Sequence, residues 1–251
     1  MNVALTFVNK MKVKLGSAKM RNNLKKGLIQ CVQKLQKVTE GDKIYVLGLY
    51  CGNLDYSYTI FTANTLKGLI EAQKAIDNDE DDDHPESSKM FVKWNAADWK
   101  YHEFYHPKSL DISSQILGEI IDAMYNLEEC DETEIELTPA QWKEVNKGKR
   151  VYDIDPNYTY YDLYGDVYQP IFAEIYNTLS SALAEVKKEM NLSNNIFISL
   201  FTGDASYDFM IQQGSKLNSK DTLRKVVREI EEYGELIGYS MFDEDYQQYI
   251  K

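Results

Sequence analysis

A helix-and-strand pattern that occurs twice constrains this chain more than any other feature. Ile44–Cys51 (IYVLGLYC) leads into Gly52-Asn53-Leu54-Asp55-Tyr56 and the alternating stretch Ser57–Thr62. About 151 positions later, Asn195–Thr202 (NIFISLFT) leads into Gly203-Asp204-Ala205-Ser206-Tyr207 and then Asp208–Gln213. Tyr45 aligns with Ile196, Leu49 with Leu200 and Tyr50 with Phe201. At the same offset Leu24, Leu28, Val32 and Leu35 overlie Ile175, Leu179, Leu183 and Val186, and each set has the spacing of one apolar helix face. Each half therefore reads as helix, strand, tight connection, strand, helix. The expected fold is α+β: duplicated helix-hairpin-helix units, related by a pseudo-twofold, share an antiparallel sheet with helices packed on it.

A chain of 251 residues can bury one sizeable core, so a single domain over 1–251 is expected. Repeat one covers about 17–76, an insertion about 77–150, and repeat two about 166–233. Ser17 or Asn22 caps a helix running to about Val38, which Thr39-Glu40-Gly41-Asp42 stops by turn chemistry. A short helix from about Thr65 to Ile76 closes the first repeat. Inside the insertion, Lys89–Trp94 reads as a strand, Asn95 caps a helix beginning at Ala96, and an amphipathic helix spans about Ser109–Leu127. Thr138-Pro139 starts a further short helix through Val145.

The net charge of −12 conceals an asymmetry: residues 1–40 hold nine Lys or Arg against one acid, leaving 19 bases and 39 acids beyond them. Such a surface repels phosphate backbones and attracts basic partners at rates that fall with salt. Direct nucleic-acid binding is not expected, and the basic N-terminal face reads as solvated. Met1–Val8 lack the basic start and apolar length of a signal peptide, and no later run approaches the ~20 residues of a membrane span, so the expected location is cytoplasmic. Three cysteines, Cys31, Cys51 and Cys130, suggest neither a disulfide framework nor a zinc knuckle.

The first strand pair followed by Thr62-Ala63-Asn64-Thr65, and then Lys93-Trp94-Asn95-Ala96-Ala97-Asp98-Trp99, resembles a bacterial family known as domain of unknown function 4303. Leu217-Asn218-Ser219 is similar to that family's C-terminal part. The family brings no catalytic residues to carry over. Some relatives lie beside toxin genes, and the resemblance implies an immunity role by that association alone.

Several clusters bear on chemistry. His102-Glu103-Phe104-Tyr105-His106 is a literal H-E-x-x-H, which on a helix would place two imidazoles on one face for zinc and a glutamate as general base. Pro107 works against helical geometry at His106, and no third-ligand motif follows. The run Asp77–Asp83 lacks the glycine and closing glutamate of a calcium loop; it reads as an exposed, solvated loop and, in the sharper alternative, as a lure for lysines and arginines of a basic protein. Residues 151–168 carry six tyrosines and four aspartates, a composition suited to anchoring a protein partner. Cys51 at a strand end is a weak candidate nucleophile, since its counterpart is Thr202. No nucleophile elbow, phosphate loop or dinucleotide fingerprint is present.

The expected function is that of a non-enzymatic, acidic binding protein, most concretely an immunity protein that occludes a basic toxin or effector sterically and electrostatically. Its expected contacts are Asp79, Glu80, Asp81, Asp82 and Asp83 with Tyr158, Tyr160, Tyr161, Asp162 and Tyr164, and no cofactor or metal is called for. The alternatives are a zinc-dependent hydrolase using His102, Glu103 and His106, and a structural module whose acidity only keeps it soluble.

Overall fold

The computed structural model describes residues 3–51, 59–79, 84–128, 169–202, 207–242 and 246–251. In chain order the elements are α1 (Val3–Leu15), α2 (Ala18–Val38), β1 (Ile44–Cys51), β2 (Thr59–Thr65), α3 (Leu66–Asp77), α4 (Pro85–Trp94), a 3₁₀ turn (Ala96–Asp98), α5 (Lys108–Glu128), α6 (Gln169–Glu189), β3 (Phe197–Thr202), α7 (Tyr207–Ser215), α8 (Lys220–Ile237) and α9 (Gln247–Ile250). Caps fix several boundaries. Ser17 accepts from the Met20 amide, Thr65 from Gly68 and Ser219 from Thr222, each satisfying a first-turn donor that the helix cannot.

The fold is α+β, and the described residues form a mixed sheet of three strands in the order β2-β1-β3. β1 runs antiparallel to β2, pairing Leu49 with Phe61, and parallel to β3, pairing Leu49 with Leu200 and Tyr50 with Phe201. Both faces are covered, which is why IYVLGLYC and FISLF are nearly continuous apolar runs rather than alternating ones. Leu47, Leu49, Cys51, Phe61, Ala63, Ile198 and Leu200 pack with α1, α2, α5 and α6 in one cluster. Val46, Phe197 and Phe201 face the other way, onto Trp94, Trp99 and the apolar sides of α7 and α8. A bulge between Ile44 and Val46 turns the Tyr45 ring onto that second face as well, edge-on to Trp94 with ring centroids 6.1 Å apart.

The offset that aligns the two sequence halves is the register in which β1 and β3 pair, and the helices preceding both strands bury the predicted faces Leu24–Leu35 and Ile175–Val186. The repeat ends there. Tyr207–Ser215 is helical, so among the described residues β3 is not followed by a second strand, and the sheet is mixed rather than antiparallel. Met210, Ile211 and Gly214 bury one face of this helix, with Asp208 in its first turn where the helix dipole favours an acid. Nor does a pseudo-twofold relate the strands. A twofold axis would reverse the direction of a neighbouring strand or exchange its faces, whereas Leu49 and Leu200 run parallel and share a face.

Lys89–Trp94 is likewise helical and not a strand. Pro85 opens α4 with its fixed φ, and Glu86 and Lys93 stand at the ends the dipole favours. The expected helix at Ala96 is only a single 3₁₀ turn. The expected helix near Thr138 lies outside the described residues.

Candidate functional site

The pentapeptide His102–His106 follows the 3₁₀ turn, which Trp99 pins by donating its indole N–H to the Lys93 carbonyl at 3.2 Å. The chain here is irregular. Glu103 has φ of 52°, in the left-handed region, and α5 starts only at Lys108, after Pro107. His102 and His106 therefore do not share a helix face, which is the geometry zinc requires of H-E-x-x-H. His102 instead turns to the sheet, with Nδ1 3.2 Å from Thr62 Oγ1 and its ring edge-on to Tyr50 at 4.9 Å. His106 points elsewhere, placing Nε2 3.0 Å from Asp111 Oδ1. Among the described residues no group of three or more His, Cys, Asp or Glu side chains is placed to hold a metal ion.

Burial lowers the pKa of His102, outweighing the opposite pull of Glu103, the Ala96 carbonyl and Asp98. A folded pKa below the unfolded one means that on acidification the unfolded chain takes up this proton first. Above the ordinary histidine value of about 6.5 the side chain has no effect through this route, and below it His102 costs stability. His102→Gln is therefore expected to lose less stability than the parent between about pH 7 and about pH 5. Urea unfolding followed by tryptophan fluorescence at the two pH values measures this, and equal losses would mean the imidazole is solvated.

Cys51 is fully buried beneath the helices, and burial pushes its thiol up to about 12; Cys31 is raised to the same level for the same reason. Neither is a thiolate near neutrality, so Cys51 is not a nucleophile. Cys130 lies outside the described residues.

A cleft of about 510 Å³ opens where β1 and β3 begin, between Lys43, Tyr45, Lys93, Trp94, Lys225 and Glu229. Lys93 is held over the Trp94 ring, 5.6 Å from its centroid, while its ammonium lies 2.8 Å from Glu229 Oε2. The Tyr45 hydroxyl donates to the Lys93 carbonyl at 3.0 Å and accepts from Asn64 Nδ2 at 3.2 Å, tying β1 to the end of α4. The cleft contains no histidine or cysteine, and its one close acid–base contact is an ion pair. Ligands of sheets with parallel strands sit beyond the carboxyl ends of those strands, and this cleft is at the amino ends. Its polar groups brace the second core.

Of the residues expected to meet a partner, Asp79 is described: it is exposed, just past the end of α3. Glu80, Asp81, Asp82, Asp83, Tyr158, Tyr160, Tyr161, Asp162 and Tyr164 lie outside the described residues. The sequence reading missed an exposed strip on α4 and α8. Phe91 of α4 is 40% exposed and meets Tyr233 of α8 with ring centroids 6.2 Å apart, while Leu236 and Tyr239 are 51% and 75% exposed. Glu232 and Glu235 stand beside them on the same helix, both exposed. The available signal was Gly238, which as a helix stop strands the apolar residues on either side of it.

Residues 24–147 match the family described as Domain of unknown function (DUF4303). The matched span contains α2 from Leu24 onward, the antiparallel β1–β2 pair, α3, α4 and α5, and with them the Trp94–Trp99 segment between α4 and α5. The resemblance read from Thr62–Thr65 and Lys93–Trp99 falls within it, whereas Leu217-Asn218-Ser219 falls beyond it. No curated protein and no solved structure matches the chain. No helix among the described residues is long and apolar enough to cross a membrane.

Proposed function

We propose that this chain is an acidic protein-binding module that occludes a basic partner, and that its most concrete form is an immunity protein blocking a basic toxin or effector. One observation carries this: beyond residue 40 the chain holds 39 acids against 19 bases. The excess of acids is concentrated beyond the first 40 residues, and the whole chain carries −12. It supplies long-range attraction for a positively charged surface and repulsion for nucleic acid. The buried thiols and the non-helical H-E-x-x-H favour binding over turnover as the role of the fold.

Affinity purification of the tagged chain from its own host at low salt, with graded salt elution, tests the function directly. A stoichiometric basic protein leaving with salt supports it; a folded bait that retains nothing specific while its partner is expressed removes it. With the purified pair, replacing Asp79, Asp81, Asp82 and Asp83 together by Asn is expected to slow association roughly threefold or more at low salt and to leave dissociation nearly unchanged. An association rate equal to the parent's would exclude the acidic run as part of the contact.

A further inference from the structure

The exposed apolar side chains on α4 and α8 form a strip whose position follows from two contacts. Lys93 of α4 meets Glu229 of α8, and Phe91 meets Tyr233. Moving back along α4 therefore moves forward along α8, so the helices are antiparallel and the C-terminal end of α8 lies toward the Pro85 end of α4. Leu236 and Tyr239 extend the Phe91–Tyr233 pair in that direction.

The turn that ends α8 holds Tyr239 outward. Gly238 is left-handed at φ 75°, and the Tyr239 and Gly238 amides donate to the carbonyls of Gly234 and Glu235 at 3.0 and 3.4 Å. In this type of helix end the residue after the left-handed glycine usually packs on the side chain whose carbonyl it caps. Here that residue is Gly234, which has no side chain. A Cβ at Gly234 would stand 2.5 Å from the Tyr239 carbonyl oxygen and 2.8 Å from Met241 Cγ, so the close turn requires the glycine and leaves the tyrosine ring 75% exposed.

Charge identifies what the strip would receive. Glu232 and Glu235 stand exposed beside Leu236 on α8, Glu232 with Arg228 one turn before it at 3.7 Å, whereas Asp77 and Glu86 are paired with Lys89 at the Pro85 end of α4. Aromatic and aliphatic anchors beside the Glu232 and Glu235 carboxylates suit a partner that presents an apolar side chain next to arginines or lysines. We infer that the strip Phe91, Tyr233, Leu236 and Tyr239 is a docking surface for a basic, amphipathic helix of a protein partner. The inference rests on the acidic-binding function proposed above and adds to it the location and shape of the contact.

The probe is a synthetic amphipathic helical peptide with leucines along one face flanked by arginines, compared with a scrambled peptide of identical composition. Binding to the full chain is followed by fluorescence anisotropy and stopped flow at low and high salt. The amphipathic peptide is expected to bind at least tenfold tighter than the scrambled one. The double substitution Leu236→Ser and Tyr239→Ser, which changes no charge and removes only exposed groups, is expected to weaken binding at least tenfold through faster dissociation. Glu232→Gln with Glu235→Gln is expected to slow association instead. Parent-like melting of both variants establishes that they are folded. If the serine variant binds like the parent while salt still weakens binding, the location is wrong and the acidic-binding function stands. If neither peptide binds at low salt, that function itself is overturned. A concentration-dependent dimer of the parent, lost in the serine variant, would also overturn the inference, because a second copy would then cover the strip.

Discussion

Gly48→Ala is expected to leave little or no folded protein. Gly48 lies in the middle of β1, opposite Thr62 of β2 and Ser199 of β3, so neighbouring backbone closes in from both sides. A Cβ at this position would fall 1.9 Å from the Ser199 carbonyl oxygen, 3.0 Å from its carbonyl carbon and 2.7 Å from Phe201 Cε2. Rotation of the ring relieves only its own contact; the carbonyl belongs to a strand fixed by the β1–β3 ladder. Relief would require separating the two strands, and with them the two helical layers that meet across the sheet. A loss above about 4 kcal/mol follows, against a total of about 5–15 kcal/mol for an ordinary domain. Gly41→Ala is the matched control: its φ of 78° is strained for alanine, but nothing lies within 4 Å of the added carbon. That variant should lose about 1–2 kcal/mol and remain folded. Circular dichroism with urea titration separates the two cases. A Gly48→Ala midpoint equal to the parent's would mean that β1 and β3 do not pair in this register.

The same pairing explains how far the sequence could be read. Residues 44–51 and 197–202 were legible as strands because burial on both faces makes them unbroken apolar runs, and their preceding helices were legible because they bury one face each. The alignment of Leu49 with Leu200 even anticipated the register. It did not reveal parallel direction, because an apolar run reads the same whichever way its neighbour points. Residues 207–213 were misread by extending the repeat: Phe209-Met210-Ile211 is a short apolar run without periodicity, and only its packing under β3 makes it a helix turn. At Lys89–Trp94 the local signal was present in Pro85 and Glu86, but the acidic run before it drew the helix start out of view. The exposed apolar strip proved least legible. Phe91, Leu236 and Tyr239 look like core residues by type, and only the tertiary arrangement shows that α4 and α8 spend other side chains on the core.

Asn218→Ala is expected to cost about 2–4 kcal/mol, for a reason that lies in the free edge of β3. Among the described residues β3 is an edge strand, and the N–H and C=O of Ile198 point away from β1 with no described strand to receive them. The Asn218 side chain takes that place. Its Oδ1 accepts from the Ile198 amide at 3.0 Å and its Nδ2 donates to the Ile198 carbonyl at 2.7 Å, with a second bond to the Gly214 carbonyl at 2.8 Å. A single carboxamide thus imitates one residue of a fourth strand and ties α7 to the sheet. Alanine removes all three bonds and leaves polar backbone at the buried Ile198 without partners. The effect should appear as a fall of roughly 5–15 °C in thermal midpoint for a chain of this size. Asn218→Asp distinguishes hydrogen-bond pattern from shape. It preserves volume and the acceptor for Ile198, but it sets a carboxylate oxygen against two carbonyls. Those carbonyls raise the carboxyl's folded pKa, so its penalty is present above the unfolded value and relaxes as pH falls through the folded one. The expected order of stability near neutrality is Asn above both Asp and Ala, with the gap between Asn and Asp narrowing on acidification. Equal midpoints for Asn218 and Asn218→Ala would show that the β3 edge is satisfied by other means.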